Sequence, residues 1–145
     1  MGNKIKHLEM IQNVINRMAS NSFMLKGWTV TLVVATFTLL YENTSIKSLF
    51  VAIVPIVLFW GLDAYYLMLE RLYRRLYTRV QKQDENEIDF SMNISEEDRK
   101  DKKCTFTKCI FSPTEIYFYL MLVVLSIAVF LLTNGNSDIT QCIIT

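Results

Sequence analysis

One carboxylate stands in a stretch with no other charge. Leu49–Leu69 is a run of apolar and aromatic side chains broken only by Asp63. A carboxylate at membrane depth is costly and faces either a partner or a water-filled cavity. Two chemistries fit this residue. Counted along helices, Asp63 falls at the depth of Lys26, so an ion pair or a backbone contact would satisfy it at a membrane interface. The other reading makes Asp63, with Asn13, Arg17 and Asn21, the lining of a pore or gate, because cation pores present rings of acidic side chains. Glu70 lies two turns further on, level with Arg17–Asn21, which makes Glu70 and Arg17 the expected second cross-helix pair. Gly61 is a small residue beside Asp63. Small residues let membrane helices approach closely, so Gly61 is expected at a helix or subunit contact.

A second group of residues is basic and aromatic. Arg71, Arg74, Arg75 and Arg79 share one helix with Tyr65, Tyr66, Tyr73 and Tyr77. Basic residues interleaved with aromatics can bind single-stranded nucleic acid or a nucleotide. Arginines snorkelling beside lipid headgroups account for the pattern equally well. A docking surface for a partner protein is a further use of the same cluster.

Other chemistries find little material. The sole histidine, His7, has no second imidazole with which to hold a metal, and is expected to be exposed or interfacial. Cys104 and Cys109 are too widely spaced for a zinc knuckle or a redox pair, and Cys142 stands alone near the C-terminus. Cys104 and Cys109 are expected as reduced thiols, and Cys142 as a free thiol or one half of an intermolecular disulfide. There is no P-loop, nucleophile elbow or Gly-rich dinucleotide turn. The expectation is a protein without enzymatic activity, cofactor or metal.

The elements that must position these residues follow from three apolar runs. They are Gly27–Tyr41, Leu49–Leu69 and Pro113–Thr133, the last with Glu115 near its start. A bilayer core requires about 20 helical residues, with a range of about 17–25. None of the runs carries the polar face that a buried helix of a soluble bundle would show. Composition agrees: 52% of the 145 residues are hydrophobic and 20% are charged. The mean hydropathy of +0.26 is high for a water-soluble domain.

Charge sets the expected orientation. Of 15 Lys and Arg residues, Lys47 alone lies between the first and second runs. The positive-inside rule then places the N-terminus and residues 70–112 in the cytoplasm, with Glu42–Ser48 and residues 134–145 outside. Trp28, Tyr41, Trp60 and Tyr117–Tyr119 are candidate interfacial anchors. The first run lacks a signal-peptide cleavage site, and Lys6 spoils the MGNKIK start as a myristoylation signal.

Helical periodicity extends past the membrane. Ile5, Leu8, Ile11 or Ile15, Met18 and Leu25 give an amphipathic helix leading into the first run. Leu62, Tyr66, Leu69, Tyr73, Leu76 and Val80 alternate by four and three, as a coiled-coil seam does. The reading is two long helices, 5–41 and 47–82, paired as an antiparallel hairpin whose ends project into the cytoplasm. Residues 83–112 are rich in acidic and turn-forming residues. They read as a solvated linker or as a regulatory loop docked on the Arg71–Arg79 helix. Within them, IDFSMNI and TFTKCIF carry a weak alternation that suggests a small β-hairpin.

Two stretches carry a family resemblance. Asn16–Trp28 reads NRMASNSFMLKGW, and Leu62–Arg74 reads LDAYYLMLERLYR. These resemble a group of small bacterial membrane proteins with an N-R-M-x-x-N-S-F-x-L-K-G-W stretch before one span and L-D-x-Y-x-x-x-x-E-R-L-(Y/F)-R after another. The resemblance covers residues 7–32 and 59–77, about a third of the chain. The overall plan is similar to the two-span effectors of bacterial anti-phage systems, retron-associated and nucleotide-signalling ones among them. It implies an abortive-infection toxin that oligomerises and permeabilises or depolarises the inner membrane once infection is sensed. The third run departs from a strict two-span plan.

The expected fold is therefore an all-α membrane protein with three transmembrane helices, the first two extended into a long cytoplasmic antiparallel helical hairpin. Its parts are an amphipathic helix (1–26), two spans with their extension (27–82), an acidic loop (83–112), a third span (113–133) and an external tail (134–145). Expected partners are membrane lipid, further copies of the chain, and a protein or nucleoprotein encoded nearby. The competing expectation is a non-conducting anchor whose cytoplasmic hairpin recruits such a partner.

Overall fold

The computed structural model describes residues 2–39, 46–99 and 104–144. The described chain is helical throughout its regular parts: α1 (Gly2–Leu39), α2 (Ile46–Lys82), two short helices α3 (Glu96–Arg99) and α4 (Phe106–Ile110), and α5 (Pro113–Ile144). Long uninterrupted helices follow from the sequence, which has four Gly and two Pro. Pro55 lies inside α2, where it removes one backbone donor from the ladder. Three helices are long and apolar enough to cross a membrane, as in a multi-pass membrane protein. The expected outer loop falls largely on residues 40–45, outside the described residues. α5 continues as helix through the segment expected as a tail.

α1 and α2 pack along their lengths, with residue numbers rising on one as they fall on the other. Lys4 Nζ donates to the Gln83 carbonyl at 2.6 Å. Ile11 and Ile15 close on Leu76 and Val80, joined by Leu8, Tyr73, Tyr77, Ile88 and Met92. Further along, Lys26 meets Asp63. Beyond that pair, Val33, Ile56, Tyr119 and Leu122 form a second apolar core with Phe37, Phe59, Trp60 and Phe118. Among the described residues there are thus two apolar cores, one in the membrane-length stretches and one around Ile11 and Leu76, with charges between them.

The buried stripe of α1 runs through His7, Ile11, Ile15, Thr29 and Val33. The expected stripe departs from this at Ile5, which is 53% exposed. On α2 the seam holds at Leu76 and Val80 but not at Leu62, which is 49% exposed. Asp63 and Ala64 are buried in its place. A purely apolar search follows the lipid-facing side of a membrane helix as readily as its packed side, because both are apolar.

Away from the packed seams the three helices turn apolar side chains outward. Val34, Leu39, Val54, Val57, Leu58, Met121 and Leu132 are all more than half exposed. In these stretches hydroxyls bond within their own helix: Thr36 to the Leu32 carbonyl at 2.8 Å and Ser126 to the Leu122 carbonyl at 2.8 Å. That habit lets polar residues sit in apolar surroundings without a cross-helix partner.

The suggested β-hairpin does not form. Phe106–Ile110 is helical, and the stretch after Glu87 is irregular, with Phe90 at φ 56°. An isolated two-stranded hairpin is marginal at best. Here its apolar residues gain more by packing on the long helices, as Ile88 and Met92 do on the Ile11/Leu76 core. The acidic segment is docked at several points. Arg79 bridges Asp98 at 2.9 Å and donates to the Asn93 carbonyl at 3.0 Å. Trp60 Nε1 donates to the Ile110 carbonyl at 3.1 Å.

Candidate functional site

The polar centre lies where the two apolar cores part. Its first member is Lys26, one turn after Ser22 on α1, so both side chains leave the same face. Asp63 projects from α2 and is fully buried. Glu115 opens the first turn of α5 and is 2% exposed, and Tyr119 follows it one turn later on the same face. All three long helices contribute to the centre.

The bonds are dense. The Lys26 ammonium donates to Asp63 Oδ2, to Glu115 Oε1 at 3.0 Å and to Ser22 Oγ at 3.3 Å. These three bonds use all of its N–H donors. The Ser22 hydroxyl in turn donates to Asp63 Oδ1. The Tyr119 hydroxyl donates to Asp63 Oδ2 at 3.0 Å. Asp63 therefore accepts from α1 twice and from α5 once. Glu115 Oε2 is buried with no hydrogen-bond partner. Aromatic rings close the sides: Phe118 lies 5.8 Å from the Lys26 nitrogen, and Trp60 stacks on Tyr119 at 5.9 Å between centroids.

The remaining candidates from the sequence are placed elsewhere. Asn13 and Arg17 are exposed on α1, and Asn21 is half-buried. None of the three bonds to Asp63 among the described contacts. Glu70 pairs with Arg74 at 2.8 Å, one turn along its own helix, instead of with Arg17. A pair at that spacing needs no alignment between helices, and Arg17 is exposed. A Cβ added at Gly61 would meet nothing within 4 Å, so no packing among the described residues depends on its small size.

Arg71, Arg74 and Arg75 line a cleft of about 440 Å³ with Thr78 and Cys104. Arg71 also donates to Ser112 Oγ at 3.0 Å, immediately before α5. Cys104 and Cys109 are buried free thiols, while Cys142 lies in a stretch whose side chains are not described. Burial pushes the Cys109 thiol above its ordinary range, against the opposing pull of the Arg71 charge. His7, expected to be exposed or interfacial, is 1% exposed. Its Nε2 lies 3.2 Å from the Ser91 carbonyl, and its ring lies 5.5 Å from that of Phe90. The irregular segment after Glu87 folds over it, which a helix-only reading of residues 1–26 could not show.

Ser22, Glu115 and Tyr119 are the functional candidates that sequence reasoning missed. A signal existed for each. Glu115 is the only charge in its apolar run, as Asp63 is in its own, and Ser22 and Tyr119 stand one helical turn from Lys26 and Glu115. No protein-family model, curated protein or solved structure matches the chain.

Proposed function

We propose that the protein is a membrane effector of a bacterial anti-phage system, which oligomerises and permeabilises the inner membrane when triggered. In this reading the N-terminus and residues 70–112 are cytoplasmic. The α1–α2 pair crosses the membrane as an antiparallel hairpin with a cytoplasmic extension, and α5 is the third span. The observation that carries the proposal is the Lys26–Asp63–Glu115 centre. It gathers three ionisable groups where three membrane-length helices meet. Ionisable residues within membrane-length helices are functional-site candidates by default, with ion pathways and proton relays among their uses. Because Asp63 is buried within the protomer, the present arrangement corresponds to a closed state. Opening parts the helices and turns Asp63 toward a shared pore.

The test follows membrane potential with a dye while the protein is expressed with its genomic neighbours and a trigger. Wild type depolarises the cell. Asp63→Asn at equal expression does not, because Asn keeps hydrogen bonds to Ser22 and Tyr119 but removes the acidic ring. Intact potential under every triggering condition would discard the effector reading.

The competing reading is a non-conducting anchor that recruits a partner through its cytoplasmic extension. The cleft at Arg71, Arg74 and Arg75 favours it, since guanidinium groups suit carboxylate and phosphate partners. Charge reversal at Arg74 and Arg75 would then abolish co-purification of the neighbouring gene product and leave membrane potential unaffected.

A further inference from the structure

The polar centre holds one ammonium and two carboxyl groups. If both carboxyls were ionised, the cluster would carry an uncompensated negative charge in a buried site. Lys26 has no N–H left to answer it. Asp63 accepts bonds from Ser22, Lys26 and Tyr119, whereas Glu115 receives one donor and leaves Oε2 buried without any. Glu115 also comes within hydrogen-bonding reach of Asp63. Two ionised carboxylates cannot make that contact, because neither carries a donor.

We propose that Glu115 carries a proton, which it donates to Asp63 as a hydrogen bond, and that this proton latches α5 to the α1–α2 pair. The proton supplies the missing donor between the two carboxyls and brings the cluster to neutrality: one ammonium, one carboxylate, one carboxylic acid. The groups that face it are Lys26 and Ser22 from α1, Asp63 from α2, Cys109 from α4, and Tyr119 on α5 itself, while Arg71 of α2 is engaged by Ser112 and Cys109. Loss of the proton leaves like charges opposed across the α2–α5 contact, one of which has an unpaired oxygen. The first turn of α5 then swings away. This proton site stands whether or not the protein conducts ions.

The experiment is infrared spectroscopy of the full-length protein in lipid vesicles. Solvent-exposed carboxyls are ionised at neutral pH, so a protonated-carboxyl carbonyl band at that pH reports a buried acid. Wild type shows the band, and it disappears as pH is raised. Glu115→Gln lacks it. Asp63→Asn also lacks it, because Glu115 then ionises against Lys26. Carbon-13 labelling of glutamate shifts the wild-type band, which assigns it without any substitution should a variant fail to fold. Absence of the band in wild type at neutral pH, its persistence in Glu115→Gln, or its insensitivity to glutamate labelling would overturn the proton on Glu115. For the latch, Trp28→Phe leaves Trp60 as the sole tryptophan, stacked on Tyr119. Its emission shifts to the red over the same pH interval in which the band is lost. Constant emission through that interval would overturn the latch.

Discussion

Lys26 is the residue on which the centre depends, because it is the cation bonded to both buried carboxyls. Its removal does not return those groups to water. Breaking a buried pair by deleting one partner typically costs about 3–5 kcal/mol, since the other charge stays behind uncompensated. Lys26→Met is therefore expected to lower stability by about that amount, read from denaturation in detergent. Combined with Asp63→Asn, the double variant should lose less than the two single losses added together. Additive losses would mean that the two side chains do not share one network. Cys109 supports a second prediction, through its chemistry. Burial favours the neutral thiol, and the thiolate is the reactive form. The folded protein should therefore resist alkylation at Cys109 at neutral pH, with reaction appearing only above the ordinary thiol range. The sign for stability is the same. The unfolded chain ionises this thiol at lower pH than the folded one, so Cys109 contributes stability below the ordinary thiol value and loses it as pH rises beyond. Mass spectrometry of alkylated native and denatured samples across pH decides this.

Packing between elements distinguishes residues that look alike in sequence. Leu62 and Leu76 occupy equivalent places in the four-three repeat of α2, yet Leu62 is 49% exposed and Leu76 is 1% exposed. Leu76→Ala is expected to cost about 2–5 kcal/mol through the cavity it opens against Ile11 and Ile15. Leu62→Ala should stay within about 0.5 kcal/mol. Equal losses in thermal melts would mean that the seam runs straight through both positions. This contrast also shows how much of the molecule was legible beforehand. The three long helices were readable from apolar length, and the meeting of Lys26 with Asp63 from helix rise alone. The third helix's share in the site was not readable, because nothing local fixes where a helix returning after a long connection will dock. Glu115 announced itself only as an isolated charge. The β-pair suggested by IDFSMNI and TFTKCIF does not form, because alternation over seven residues is weak evidence. Its apolar residues had a larger surface available on α1 and α2.

At the scale of the whole molecule, the two apolar cores and the charged centre between them define a direction. The outward-facing apolar side chains cluster on the stretches around Val33, Ile56 and Leu122, whereas the extension around Ile11 and Leu76 carries Arg17, Arg74 and Arg75 on its surface. Basic residues favour the cytoplasmic side of a membrane. The extension should therefore lie inside the cell, with both ends of the α1–α2 connection outside. The native thiols at 104 and 109 are buried and would resist a labelling reagent on either side of the membrane, so they cannot report orientation. A chain stripped of cysteine, with one reintroduced at the exposed Gln81, provides the reporter. In intact cells a membrane-impermeant thiol reagent should leave that position unmodified and should label it after permeabilisation. A cysteine placed at Asn43, between the first two membrane-length runs, should label without permeabilisation. Labelling at 81 and protection at 43 in intact cells would invert the topology, placing the arginine-lined cleft outside the cell and beyond the reach of any cytoplasmic partner.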